Sequence, residues 1–186
     1  MGDQVRLRPI VEADLPVMSG LYDDPVEASE FGFFGYRNPG TLRRMFEQGF
    51  FDDNGGRLAV VRDLAPAEGP GGAESAEVLI GDVGWRSVQT APNSATWNIG
   101  IGLLAAERGK GYGTIAQRLL VRYLFSYTRY HRIEAGTETA NLAEQRALEK
   151  AGFTREGVAR GACFRAGAWR DMVQYSILRP ETDLTP

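Results

Sequence analysis

Val5-Arg6-Leu7-Arg8 alternates apolar and charged residues and stops at Pro9, a period of two that predicts a short first strand. Asp14 to Asp23 reads as a helix. Beyond Pro25, the run Phe31-Gly32-Phe33-Phe34-Gly35-Tyr36 is broken by glycines and closed by Asn38-Pro39-Gly40, which predicts a loop or broken helix. A second helix is expected over Thr41–Gln48 and a second strand over Leu58–Val61. Ala65 to Ala76, rich in Gly, Pro, Ala and Glu, reads as a flexible surface connection between strands of one domain. Val78–Val88 and Ala95–Leu103, on either side of the turn Ala91-Pro92-Asn93-Ser94, complete an antiparallel meander.

The period changes after Glu107. Ile115, Leu119, Leu120, Tyr123 and Leu124 recur at helical spacing, giving an amphipathic helix from Gly113 to about Tyr127. A strand over Arg132–Thr137 follows, then a helix over Asn141–Ala151 with Asn141 as N-cap and Gly152 as its stop. Phe153–Val158 and Met172–Leu178 end the chain as strands. A meander followed by alternating strands and helices implies an α/β or α+β sheet with helices on its faces. The 186 residues suit a single domain, 1–186.

Composition narrows the classes. A formal charge of −3 argues against a surface built to follow nucleic-acid phosphates. One cysteine, Cys163, excludes an internal disulfide, and with one histidine, His131, no soft-ligand metal site is expected. The N-terminal residues lack a secretory pattern and no apolar run approaches the roughly 18 residues of a membrane span, so a cytoplasmic protein without membrane partners is expected.

The candidate chemistry lies in Arg108-Gly109-Lys110-Gly111-Tyr112-Gly113-Thr114, between an apolar strand and an amphipathic helix. Backbone N–H groups there can converge on an anion such as pyrophosphate; glycines permit close approach and unusual φ, and Arg108 and Lys110 add charge. The spacing Gly-x-Gly-x-Gly fits neither a P-loop nor a dinucleotide-binding fingerprint. A glycine-rich helix entry without any ligand is the competing account.

Arg-Gly-x-Gly-x-Gly after a strand and before a helix resembles the acetyl-CoA pyrophosphate loop of GNAT N-acetyltransferases. The helix led by Asn141-Leu142-Ala143 and ending Lys150-Ala151-Gly152-Phe153 resembles the family's Asn-led helix. Val5-Arg6-Leu7-Arg8-Pro9 with Asp14-Leu15, and Trp169-Arg170-Asp171 to Tyr175, resemble the opening and closing of RimJ/RimL-like members. The resemblance implies a GNAT fold: a mixed, mostly antiparallel sheet of about seven strands, splayed at strands 4 and 5, with about four helices. It implies direct acetyl transfer from acetyl-CoA to a primary amine, a cationic small molecule or a peptide N-terminus. It also allows a homodimer formed through sheet edges.

Carried over residue by residue, cofactor contacts fall at Leu103, Leu104, Arg108, Gly109, Lys110, Gly111, Tyr112, Gly113, Thr114 and Asn141. The chain departs from the family at two places: Asn98 stands where several members have Glu, and Glu144 where many RimJ/RimL-like proteins have a Ser proposed to protonate the thiolate. Glu144, with Asn141 beside it, is therefore the catalytic candidate, as acid or water organiser; a solvated helical Glu is the competing account. Tyr112 and Tyr175 are other candidates for the acid, and Glu30, Asp82, Glu138 or a water chain for the base. His131, at a strand entrance, reads as structural. The acceptor pocket of this fold lies beneath the first two helices, which selects Tyr22, Glu30, Phe31 and Phe34, with Asp23, Asp24 and Glu27 nearby, and suits a cation. The altered positions also admit a non-catalytic acyl-CoA sensor.

Overall fold

The computed structural model describes residues 4–52, 54–64 and 77–184; the expected connection at 65–76 lies outside them. The strands are β1 (Val5–Arg8), β2 (Gly55–Asp63), β3 (Glu77–Ala91), β4 (Ser94–Leu103), β5 (Arg132–Glu138), β6 (Thr154–Arg165) and β7 (Ala168–Leu178). They form one sheet in the order β1-β2-β3-β4-β5-β7-β6. Only β4 and β5 run parallel; every other neighbouring pair is antiparallel. The helices are α1 (Leu15–Asp23), α2 (Pro25–Gly32), α3 (Thr41–Glu47), α4 (Tyr112–Tyr127) and α5 (Leu142–Ala151).

The continuous apolar run of β2 follows from burial on both faces. Leu58 and Val60 join the core beneath α4 and α5, while Ala59 and Val61 pack with Leu15 and Met18 of α1 and with Leu42 and Phe46 of α3. The buried stripe of α4 is Ala116, Leu120, Val121, Leu124 and Phe125. It is rotated from the stripe the spacing predicts, since Ile115 is exposed.

Among the described residues five α-helices form, in keeping with the expected number of about four. The additional α2 has a clear local cause: the Asp24 side chain accepts from Val26 N at 2.7 Å and Glu27 N at 3.3 Å, and Pro25 occupies the first turn, where its missing N–H costs nothing. Ser29 at φ 66° interrupts this helix, and the aromatic run expected as a loop or broken helix leaves it after Gly32 and continues without regular structure from Phe33. The last hairpin is longer than its sequence pattern predicts, because most of the edge strand β6 is solvated and shows little apolar alternation.

The sheet opens at its parallel seam. β4 and β5 pair only through Trp97, Ile99 and the residue between, opposite Ile133–Ala135. Beyond that point β4 continues to Leu103 and β5 to Glu138 without pairing to each other. On the α1–α2 side of the floor, Asp82, Gly84 and Arg86 of β3 stand in register with Gly102, Gly100 and Asn98 of β4.

Candidate active site

The splay opens into a cleft of about 1180 Å³ that extends from the glycine loop, past α5, to α1 and α2. At one end Gly109 and Gly111 adopt φ 77° and 86°, and a Cβ added to either would meet nothing within 4 Å. Backbone conformation therefore demands glycine here, and the space beside the chain is open. Gly111 starts α4 without any side-chain cap, so the N–H groups of its first turn lack intrahelical partners and carry the positive end of the helix dipole. On the β5 side, the β4 edge from Gly100 to Leu103 has no strand partner and can accept an extended amide chain.

Leu103, Arg108, Gly109, Gly111, Gly113, Thr114 and Asn141 border the cleft. Leu104, Lys110 and Tyr112 do not. Leu104 N donates to Ile80 O at 2.9 Å, Lys110 pairs with Glu107 at 3.0 Å on the surface, and the Tyr112 ring is buried in the core. Arg108 is used structurally: its Nε donates to Leu103 O at 2.9 Å and an Nη donates to Glu27 O, which fastens the loop to α2.

Asn141 caps α5, its Oδ1 accepting from Glu144 N at 3.2 Å. Glu144 does not behave as the solvated helical residue of the competing account. Its carboxylate accepts from Gln117 Nε2 at 2.6 Å, it borders the cleft, and burial pushes its carboxyl up to about 7 although the Gln117 bond favours the charged form. Gln117 is 1% exposed and its Oε1 has no hydrogen-bond partner among the described residues. The sequence reading missed Gln117: on the helix pattern it is simply a polar residue, and only the docking of α5 turns it inward.

The other proton-transfer candidates separate clearly. Tyr175 is buried and donates to Glu149 at 3.0 Å, away from the cleft, and Tyr112 is likewise off it. His131 is exposed and does not border the cleft. Glu138 is locked in a buried two-bond pair with Arg165, which holds its carboxyl below the ordinary value. Asp82 is fully buried; burial pushes it up to about 6 against the opposing fields of Arg57, to which it is bonded, and Arg37.

Tyr22, Glu30, Phe31 and Phe34 all border the far end of the cleft, with Phe34 largely exposed and Phe31 5.6 Å from the Arg165 guanidinium. The other acidic residues expected there are committed elsewhere. Asp24 caps α2, Glu27 accepts from Ala105 N at 2.9 Å, and Asp23 accepts from Ser19 at 3.0 Å. Arg37, Arg57 and Arg86 border the cleft too, with Arg146 and Lys150 on the α5 side, none of them expected there from the sequence.

Residues 4–154 match the family described as Acetyltransferase (GNAT) domain. A Bacillus subtilis (strain 168) protein named "Probable N-acetyltransferase YjcK" is 46% identical over 85 residues, covering 46% of this chain and 47% of that protein. The chain thus spans about half the length of the first curated relatives it matches. The Vibrio cholerae spermidine N-acetyltransferase, solved with CoA and spermine, superposes with a TM-score of 0.74 at 20% identity, covering 96% of this chain and 97% of that one. A GNAT-family acetyltransferase from Bacillus anthracis gives 0.70 at 20% identity, covering 97% and 98%. These structures share the fold. An uncapped helix entry behind αL glycines, a sheet parted at its parallel seam and the match over residues 4–154 agree: the chain belongs to the GNAT acetyltransferase family.

Proposed function

We propose that this chain is an acetyl-CoA-dependent N-acetyltransferase of the RimJ/RimL-like kind that moves the acetyl group directly to a primary amine in a ternary complex. The observation that carries the reading is the opening of β4 beside the uncapped entrance of α4, because it offers amides for a diphosphate and an unpaired strand edge for pantetheine in one cleft. The open space at Gly109 and Gly111, where any side chain would project, supports the fit. Backbone N–H groups from Gly109 to Thr114 bind the pyrophosphate, and the Gly100–Leu103 edge orients the pantetheine arm. Arg146 and Lys150 add positive charge along the α5 wall.

The bound thioester supplies an activated acetyl carbonyl. A β4 amide at the splay stabilises the oxygen as the amine adds to it. Glu144, protonated because it is desolvated, gives its proton to the departing thiolate sulfur, while Gln117 fixes the carboxyl and Asn141 fixes the helix turn that carries it. Water receives the proton of the amine. The acceptor is a small amine or a peptide N-terminus; the expectation of a purely cationic amine keeps Glu30 alone from its acidic set.

Thiol release from acetyl-CoA across a panel of amines tests the reading. Turnover with at least one acceptor is expected. Saturable CoA binding with no release above background would instead favour a non-catalytic acyl-CoA sensor.

A further inference from the structure

Building on that acetyltransferase reading, we infer that the acceptor carries a carboxylate close to its amine, and that Arg57 and Arg37 hold this carboxylate against the Tyr22 ring at the cleft floor. The two guanidinium groups lie 4.9 Å and 4.4 Å from the centre of that one ring. Arg57 uses one Nη on Asp82, and its Nε and second Nη donate to nothing among the described residues. Its side chain remains 26% exposed, and it borders the cleft. Among the described residues the ion-pair partner of Arg37 is Asp23, at the long distance of 4.0 Å, and Arg37 is 40% exposed.

The accessible charge decides between an anion and a second cation. Asp82 is 2% exposed at its side chain and Glu138 7%, each paired with an arginine, and the Asp82 Oδ1, which has no hydrogen-bond partner among the described residues, is itself buried, so neither carboxylate is open to solvent in the cleft. Glu30 borders the cleft but is exposed, and its charge already acts on Arg165. Arg37, Arg57 and Arg86 border the cleft as well, each with part of its side chain exposed. An unused guanidinium edge is a fork matched to a carboxylate, and desolvation within the cleft strengthens the bond.

The bare floor fixes the scale of the molecule. Arg57 Nη2 lies 3.7 Å from where a Cβ of Gly84 would stand, and Gly84 is the register partner of Gly100 at the splay. One strand spacing, about 4.8 Å, separates them. A carboxylate held there reaches the thioester edge of β4 with an amine only a few carbons away, which fits an amino acid.

The test measures kcat/KM for unbranched ω-amino acids of several chain lengths, each against the n-alkylamine and the α,ω-diamine of the same length, with CoA binding measured in parallel. At one length or more the amino acid should exceed both controls at least tenfold. Arg37→Met, which leaves the Arg57–Asp82 pair intact, should raise KM for that amino acid at least tenfold more than for its alkylamine; Arg57→Lys, which keeps charge but loses the fork, should do the same. Equal rates, a diamine preference at every length, or unchanged KM ratios in both variants would overturn the inference while CoA still saturates. Failure of CoA to bind would overturn the acetyltransferase reading with it.

Discussion

Glu144 shows what one residue's surroundings can do. In the first turn of a helix a glutamate is ordinarily ionised and welcomed by the dipole; here burial opposes that and lifts the carboxyl to about 7. The acid form required for thiolate protonation is then present below that value and lost above it. Glu144→Gln should lower kcat by about 10²-fold and remove the alkaline limb of the kcat–pH profile, while leaving CoA affinity near that of the parent. The same proton affects stability. The folded chain keeps it to about pH 7, whereas a solvated glutamate releases it near 4.5, so stability falls as pH rises through that window. Thermal unfolding of Glu144→Gln followed from pH 5 to pH 8 should lose this fall. The position was legible in the sequence through its offset from Asn141, but its environment was not: nothing in the helix pattern announces that Gln117 meets it across two helices. The arginines were invisible for a similar reason, because Arg57 and Arg86 read as ordinary polar strand residues until β2, β3 and β4 are aligned.

At the scale of elements, the segment from Arg108 to Thr114 was read most fully. Its glycines, the strand before it and the helix after it all lie where the pattern predicts them. The side chains between the glycines alternate away from the cleft, Lys110 into solvent and Tyr112 into the core, which leaves their backbone N–H groups as what the loop offers there. Gly111→Ala forces a Cβ onto φ 86° and should weaken CoA binding at least tenfold in calorimetry, with a loss of stability of about 1 kcal/mol. Asn141→Ala removes the α5 cap and should cost about 1 kcal/mol in denaturant unfolding, with a fall in kcat if the displaced turn moves Glu144. α2 was not legible because it spans only Pro25–Gly32, is interrupted at Ser29 and carries no helical apolar stripe, although Asp24-Pro25 is itself a start signal.

Across the whole molecule, the cleft is a property of the sheet rather than of any motif. Its floor needs two strands that part after three paired positions, with glycines where side chains would otherwise fill the gap. Gly100 has nothing within 4 Å of an added Cβ, so Gly100→Val should fold with an unchanged Tm yet lower turnover at least tenfold by occupying the floor. The antiparallel meander could be anticipated from periodicity, and the mixed sheet splayed at strands 4 and 5 from the resemblance. The fit of α1 and α2 over that floor could not, since it depends on side chains distant in sequence.

Isothermal titration of the purified chain with CoA addresses the central claim most directly. The account predicts saturable one-to-one binding that Gly111→Ala weakens at least tenfold; no binding, or binding indifferent to that substitution, would contradict it.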